Sequence, residues 1–360
     1  MDNFKSRRAQ HRPWNRREFF GAVGAGLSVI AAPSFAQQKL RKIAVMTPER
    51  GTDMGWNQQG ILSAREAAKL TGVQIEVAEG LGYGDIRPIM RELAGNGAQL
   101  IIAHASGYNT TAHEVGIERN VPVAVVDTPK KVLKPGLVVD YTLSGHEGAY
   151  LAGVLAARMT RTGTLGIVVS GEPPPWNSQS AAFAQGARAT KPGIPLRYAV
   201  IGPAAYGDAP GGRRVAEAVI AAGADIVFGQ GNGSTMGMLQ GITTSKAKDG
   251  GKVWLIDVIG DKTTVAQGHL LSSVLWDMTQ AFVKMIEDAN AGKLGQRPYS
   301  IGLADNSVRL LKTAAIPDNV WSEIDMTQKR IASGALKPDQ VFDAAVVRAM
   351  MTDVQAPAAK

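Results

Sequence analysis

KIAVM (Lys42 to Met46), NQQGILSAREAAKL (Asn57 to Leu70), Gly72 and QIEVAE (Gln74 to Glu79) read in order as strand, amphipathic helix, stop and strand. This step decides the fold class. Ile61, Leu62, Ala64 and Ala68 recur at helical spacing among charged residues, and Gly72 is placed to end the helix. The step then repeats: a helix from Asp85 to Gly95, LIIAHA (Leu100 to Ala105), a helix from Thr110 to Arg119, and VPVAVVD (Val121 to Asp127). Four such steps predict one parallel sheet. TLGIVVS (Thr164 to Ser170), LRYAVIG (Leu196 to Gly202), DIVFG (Asp225 to Gly229) and VWLIDVIG (Val253 to Gly260), with helices between them, predict a second. Parallel strands buried on both faces are nearly continuous apolar runs, as IIA, VAVV and GIVV are here.

GLVVDYTLS (Gly136 to Ser144) and LLSSVLW (Leu270 to Trp276) are strand-like and fall where the chain passes between the sheets. The expectation is an α/β protein of two doubly wound parallel-sheet lobes joined by a multi-strand hinge. Residues 37–144, completed by part of 270–336, form the N-terminal lobe, and 145–269 form the C-terminal lobe. The tail, 337–360, has helical spacing in KPDQVFDAAVVRAM.

The 360 residues, 45% apolar and 19% charged, suffice for two cores. Cysteine is absent, which excludes disulfides, thiolate metal sites, thiol nucleophiles and a lipid-bearing cysteine. Of five histidines, His11 lies near the N-terminus, while His104, His113, His146 and His269 are scattered. There is no G-x-S-x-G, no H-E-x-x-H and no metal-ligand spacing, so neither a catalytic set nor a cofactor or metal is expected.

Residues 1–36 have the plan of an export signal. A basic stretch precedes the uncharged run FFGAVGAGLSVIAA (Phe19 to Ala32), and Pro33-Ser34-Phe35-Ala36 suits cleavage. Asn15-Arg16-Arg17-Glu18-Phe19-Phe20 resembles the twin-arginine signal, the alternative being an ordinary secretory leader. The segment holds Lys5, Arg7, Arg8, Arg12, Arg16 and Arg17 against Asp2 and Glu18, so cleavage lowers the net charge from +8 to +4 and weakens any case for a nucleic-acid partner. The expected product is a periplasmic, freely diffusing monomer without a lipid anchor.

In an open α/β sheet the ligand sits beyond the carboxyl ends of the strands, and two facing lobes make one closing cleft. Candidates therefore fall in Pro48 to Asn57, Ala105 to Tyr108, Asp127 to Lys130, Gly171 to Asn177, Gln230 to Ser234 and Asp257 to Lys262. Asp53, Trp56 and Asn57 combine a flat apolar face with groups able to read a ring edge, although Asp53 or Asn57 equally suits a helix cap. Asp127 ends a buried strand, where a carboxylate needs a partner or forms a turn before Thr128-Pro129. Trp176 follows three prolines. GQGNGS (Gly229 to Ser234) is neither a Walker loop nor a dinucleotide fingerprint, leaving a tight turn or a contact to a neutral ligand around Asn232.

The set D-x-G-W-N at Asp53 to Asn57, the block GAYLAGVLAA (Gly148 to Ala157) with TGTLGIVV (Thr162 to Val169), and AGADIVF (Ala222 to Phe228) together resemble the basic membrane protein family. These are substrate-binding proteins of ABC importers related to the purine nucleoside receptor. The resemblance spans residues 41 to 336 and implies a type I periplasmic binding fold, a nucleoside-like small-molecule ligand and permease subunits in the inner membrane as partners. It makes Trp56 the stacking aromatic and puts Asp53 and Asp127 at family carboxylate positions. The family's ribose-side aspartate and lysine, however, fall on Ile259 and Trp276, unless Asp257 or Asp261 substitutes. Ribose hydroxyls facing Ile259 and Trp276 would cost about 1–3 kcal/mol per unpaired group. A free purine base, with Trp276 filling the ribose volume, is therefore expected over a nucleoside. An enzyme of nucleoside metabolism lacks an acid–base set here. A cytoplasmic regulator of the same fold would need a DNA-reading domain where the export signal stands.

Overall fold

The computed structural model describes residues 39–128 and 132–355. Residues 1–36, read above as an export signal, and Pro129 to Lys131 lie outside them. The chain runs β1 (Lys42–Met46), α1 (Trp56–Thr71), β2 (Gln74–Ala78), α2 (Arg87–Gly95), β3 (Ile101–Ala103), α3 (Asn109–Arg119), β4 (Val123–Val126) and β5 (Val138–Leu143). It continues through α4 (Gly145–Met159), β6 (Leu165–Val169), α5 (Pro174–Thr190), β7 (Leu196–Val200), α6 (Ala209–Ala221), β8 (Ile226–Gln230), α7 (Ser234–Thr244), β9 (Trp254–Ile259) and β10 (Leu270–Trp276). Last come α8 (Thr279–Asn290), β11 (Tyr299–Ile301), β12 (Val308–Leu310), α9 (Asp318–Ala332), α10 (Ala344–Ala349) and β13 (Asp353–Gln355).

The strands form two sheets, ordered β11-β5-β4-β3-β1-β2 and β12-β10-β9-β8-β6-β7-β13. All neighbours are parallel except the antiparallel pair β10 and β12. The apolar runs behave as expected: β4 and β6 are buried along their whole length. The chain crosses between the sheets after β5, after β10 and between β11 and β12. Both segments read as crossings are thus full sheet strands whose carboxyl ends lead into the crossing, and Leu270 to Trp276 belongs to the C-terminal sheet. The strands β11, β12 and β13 went unread because three residues are too few to show a period.

Helix α4 carries the GAYLAGVLAA block, which is apolar on every side, as befits a helix packed between α5, β10, β12 and α9. Leu151 and Leu155 are fully buried, each worth about 2 kcal/mol. Two glycines set its contact with α5. A methyl on Gly153 would strike the Phe183 carbonyl, and one on Gly186 would strike the Tyr150 carbonyl, so the two backbones meet directly.

The tail closes onto the C-terminal lobe. Asp343 caps α10 by accepting from Ala345 and Val346 N–H, and β13 pairs with the edge of β7. The Arg348 guanidinium forks onto Glu172, which also accepts from the Tyr198 hydroxyl at 3.1 Å, and Asn177 Nδ2 donates to the Phe342 carbonyl at 2.8 Å. These bonds hold both ends of the segment carrying Pro173, Pro175 and Trp176.

Candidate functional site

Between the carboxyl ends of the two sheets lies a cleft of about 720 Å³, counting its open mouth. The N-terminal lobe contributes Trp56, Tyr83, Ala105, Ser106, Asp127 and Leu143. The C-terminal lobe contributes Pro173, Pro175, Trp176, Gln179, Tyr206, Asn232, Ile259 and Trp276.

Trp56 is fixed from behind. The His104 ring stacks on it at 3.8 Å and 10°, and the indole Nε1–H donates to the His104 carbonyl at 2.9 Å. His104 is wholly buried, and that burial drives its pKa down to about 4, so the ring is neutral. Its Nε2 faces the Trp56 carbonyl at 2.9 Å and must carry the proton, leaving Nδ1 to accept from the Tyr141 hydroxyl at 2.6 Å. His104 covers one face of the indole, so the cleft has the other. Gly60 makes room for this stack, since a methyl there would run into the imidazole. Gly60→Ala should cost about 2 kcal/mol of stability through overpacking. An unchanged melting temperature would contradict that packing.

Across the cleft, Trp176 meets Tyr206 edge-on at 5.4 Å. Trp276 meets Trp56 edge-on at 6.0 Å. Asn232 Oδ1 accepts from the Trp56 backbone N–H at 3.2 Å, a hydrogen bond from one lobe to the other. Asp127 is the one charged residue on the described cleft wall. Burial first, then the nearby Asp140, raises its pKa to about 7, while the Leu143 N–H pulls it the other way. Asp140 is fully buried and is served by Thr128 N and Oγ1 and by Thr142 Oγ1.

Of the eight residues singled out in the sequence, Trp56, Asp127, Trp176, Asn232 and Trp276 line the cleft, and Asp53, Asn57 and Asp257 do not. Asp53 holds the start of α1, accepting from Gly55 and Gln58 N–H through one oxygen and from Asn57 N–H and Nδ2 through the other. Asn57 is buried by that contact. Asp257 lies within β9 and pairs at 2.7 Å with Lys262, which folds back from the following loop; both side chains are fully buried. Burial keeps the Asp257 carboxyl above its usual range, with Lys262 opposing. Asp261 is exposed and closes its own turn onto Thr263. Neither aspartate reaches the position of Ile259 on the cleft wall.

Tyr83, Gln179 and Tyr206 were missed. Tyr83 and Tyr206 follow β2 and β7, so the strand-end rule would have found both had it been applied after every strand. Gln179 lies inside α5, where no sequence signal marks it. Among the described residues no cluster of three or more His, Cys, Asp or Glu could hold a metal ion.

A family model described as Bmp, the PnrA-like ABC transporter substrate-binding proteins, matches residues 40–337. The chain belongs to this family. Among relatives of this Bmp chain, it is 23% identical to the transcriptional activator protein med of Bacillus subtilis, over 71% of this chain and 77% of that one. It is also 23% identical to a purine-binding protein of Brucella abortus, over 86% of each. Its fold is similar to that of an ABC transporter solute-binding protein from Aeropyrum pernix, with a TM-score of 0.73, 17% identity, and 86% and 96% of the two chains covered. The Bmp chain thus has the type I periplasmic binding fold and is a substrate-binding protein of an ABC transporter. Proteins of this family take a small molecule and present it to a permease, working outside the cytoplasm. No described helix is long and apolar enough to cross a membrane.

Proposed function

We propose that the protein captures a free purine base, or a flat heterocycle of similar size, in the inter-lobe cleft and delivers it to an importer's permease from the periplasm as a monomer. The cleft wall carries this reading: Trp56, Trp176, Tyr206 and Trp276 line it together with one carboxylate, Asp127. Aromatic faces suit a planar ring, and a carboxylate suits its N–H edge. Ile259 and Trp276 occupy the places where the family resemblance puts ribose-holding groups, and the wall there offers sugar hydroxyls no charge. The name of the Brucella abortus relative points the same way.

Calorimetric titration with adenine, guanine, hypoxanthine and xanthine beside their ribonucleosides tests the reading. The base should bind at least about tenfold more tightly than its nucleoside, a difference of about 1.4 kcal/mol. Equal or tighter nucleoside binding would replace the base by the nucleoside as ligand.

A further inference from the structure

Gln179 lies in α5, is almost fully buried and faces the cleft. Its Nε2 donates to the Pro175 carbonyl at 3.3 Å, which fixes the orientation of the amide, since the opposite orientation would set oxygen against oxygen. The other end, Oε1, is buried and meets no donor among the described residues. Trp276 is likewise buried and on the cleft wall, and its indole Nε1–H meets no acceptor there. The two groups are neighbours: a methyl built on Gly145 would lie 3.1 Å from both Gln179 Cδ and Trp276 Cε2, the carbon bonded to Nε1. Buried polar groups in native proteins nearly always have partners, so each exception calls for an explanation. Ser170 Oγ, Asn177 Oδ1, Ser178 Oγ, Arg197 Nε, Gln230 Oε1 and Ser234 Oγ also have none, but none of these residues lines the cleft.

We infer that Gln179 Oε1 and Trp276 Nε1–H form a second edge-reading pair, specific for the N9–H donor and the neighbouring N3 acceptor that a free purine base presents on the side where a nucleoside carries its sugar. This rests on the heterocycle reading of the cleft and names the edge that is read. Asp127 belongs to the N-terminal lobe, and the Gln179 and Trp276 pair to the C-terminal lobe. A ligand satisfying both therefore bridges the lobes, and its edge chemistry is coupled to closure.

The test compares adenine and hypoxanthine with 9-methyladenine, which keeps N3 and lacks the N9–H. In the wild type both free bases should bind more tightly than 9-methyladenine. In Gln179→Met that preference should shrink about tenfold, because the acceptor is gone. Gln179→Glu, with its buried carboxyl protonated so that it still donates to the Pro175 carbonyl, keeps a carbonyl-type acceptor and should restore the preference to within about threefold of the wild type. A preference unchanged in Gln179→Met, an equal loss of all three ligands, or no restoration in Gln179→Glu would each overturn the pair while leaving the base reading in place. Failure of all three ligands to bind the wild type would overturn the base reading as well.

Discussion

Asp127→Asn is expected to weaken purine binding about thirtyfold, as the loss of one charge-assisted hydrogen bond worth about 2 kcal/mol implies. The substitution keeps the side chain's shape and removes a charge that Asp140 repels, so the fold should not suffer. The pH dependence is more telling. With a folded pKa of about 7, raised from 3.8, Asp127 gains its proton as the solution is acidified through neutrality. If the carboxylate accepts ligand N–H groups, affinity should fall about tenfold per pH unit below 7. Stability of the ligand-free protein runs the other way. A raised folded pKa contributes stability in full below the unfolded value of 3.8, and that contribution is lost as pH rises through 7. His104 titrates near 4 and so does not confuse titrations between pH 5.5 and 8.5. Calorimetry over that range should show a sloping profile for the wild type and a flat one for Asp127→Asn. A flat wild-type profile, or binding that tightens in acid, would deny Asp127 the acceptor role.

Asp127 also shows where the sequence was legible. A carboxylate at the end of a buried strand is anomalous in one dimension, and so is a tryptophan just past a strand end; Trp56, Trp176 and Asp127 could be found for that reason. The two-lobe architecture was equally visible, because buried parallel strands and amphipathic helices leave periodicities of different length. Other features depend on three-dimensional placement. Asp257 and Asp127 look alike in sequence, each in an apolar run, but Lys262 folds back onto one, and no cation among the described residues pairs with the other. Asp53 and Trp56 stand three residues apart, yet one holds the backbone of α1 and the other faces the cleft. The strap of residues 337–355 combines helical spacing with a three-residue edge strand, and only the first part has a period to read.

The largest change in specificity is expected from Trp276→Ala combined with Ile259→Asp. On the proposed reading Trp276 fills the space a sugar would need; it stands edge-on to Trp56 at 6.0 Å, and its removal would open volume there. Ile259 has a φ of 74°, a left-handed conformation that a β-branched residue adopts only under strain. Such strain costs about 1–3 kcal/mol and clusters at ligand sites. Aspartate tolerates that backbone better and supplies the carboxylate that ribose hydroxyls lack. Two restored hydrogen bonds, about 3 kcal/mol together, should shift the ratio of nucleoside to base dissociation constants roughly a hundredfold toward the nucleoside. Cavity formation at the buried indole will lower stability, so the melting temperature must be followed in parallel. Ile259→Asp alone, with the indole still in place, should move the ratio far less, because the carboxylate gains nothing until the sugar has room. A folded double variant whose ratio stays at the wild-type value would show that neither Trp276 nor Ile259 excludes the sugar.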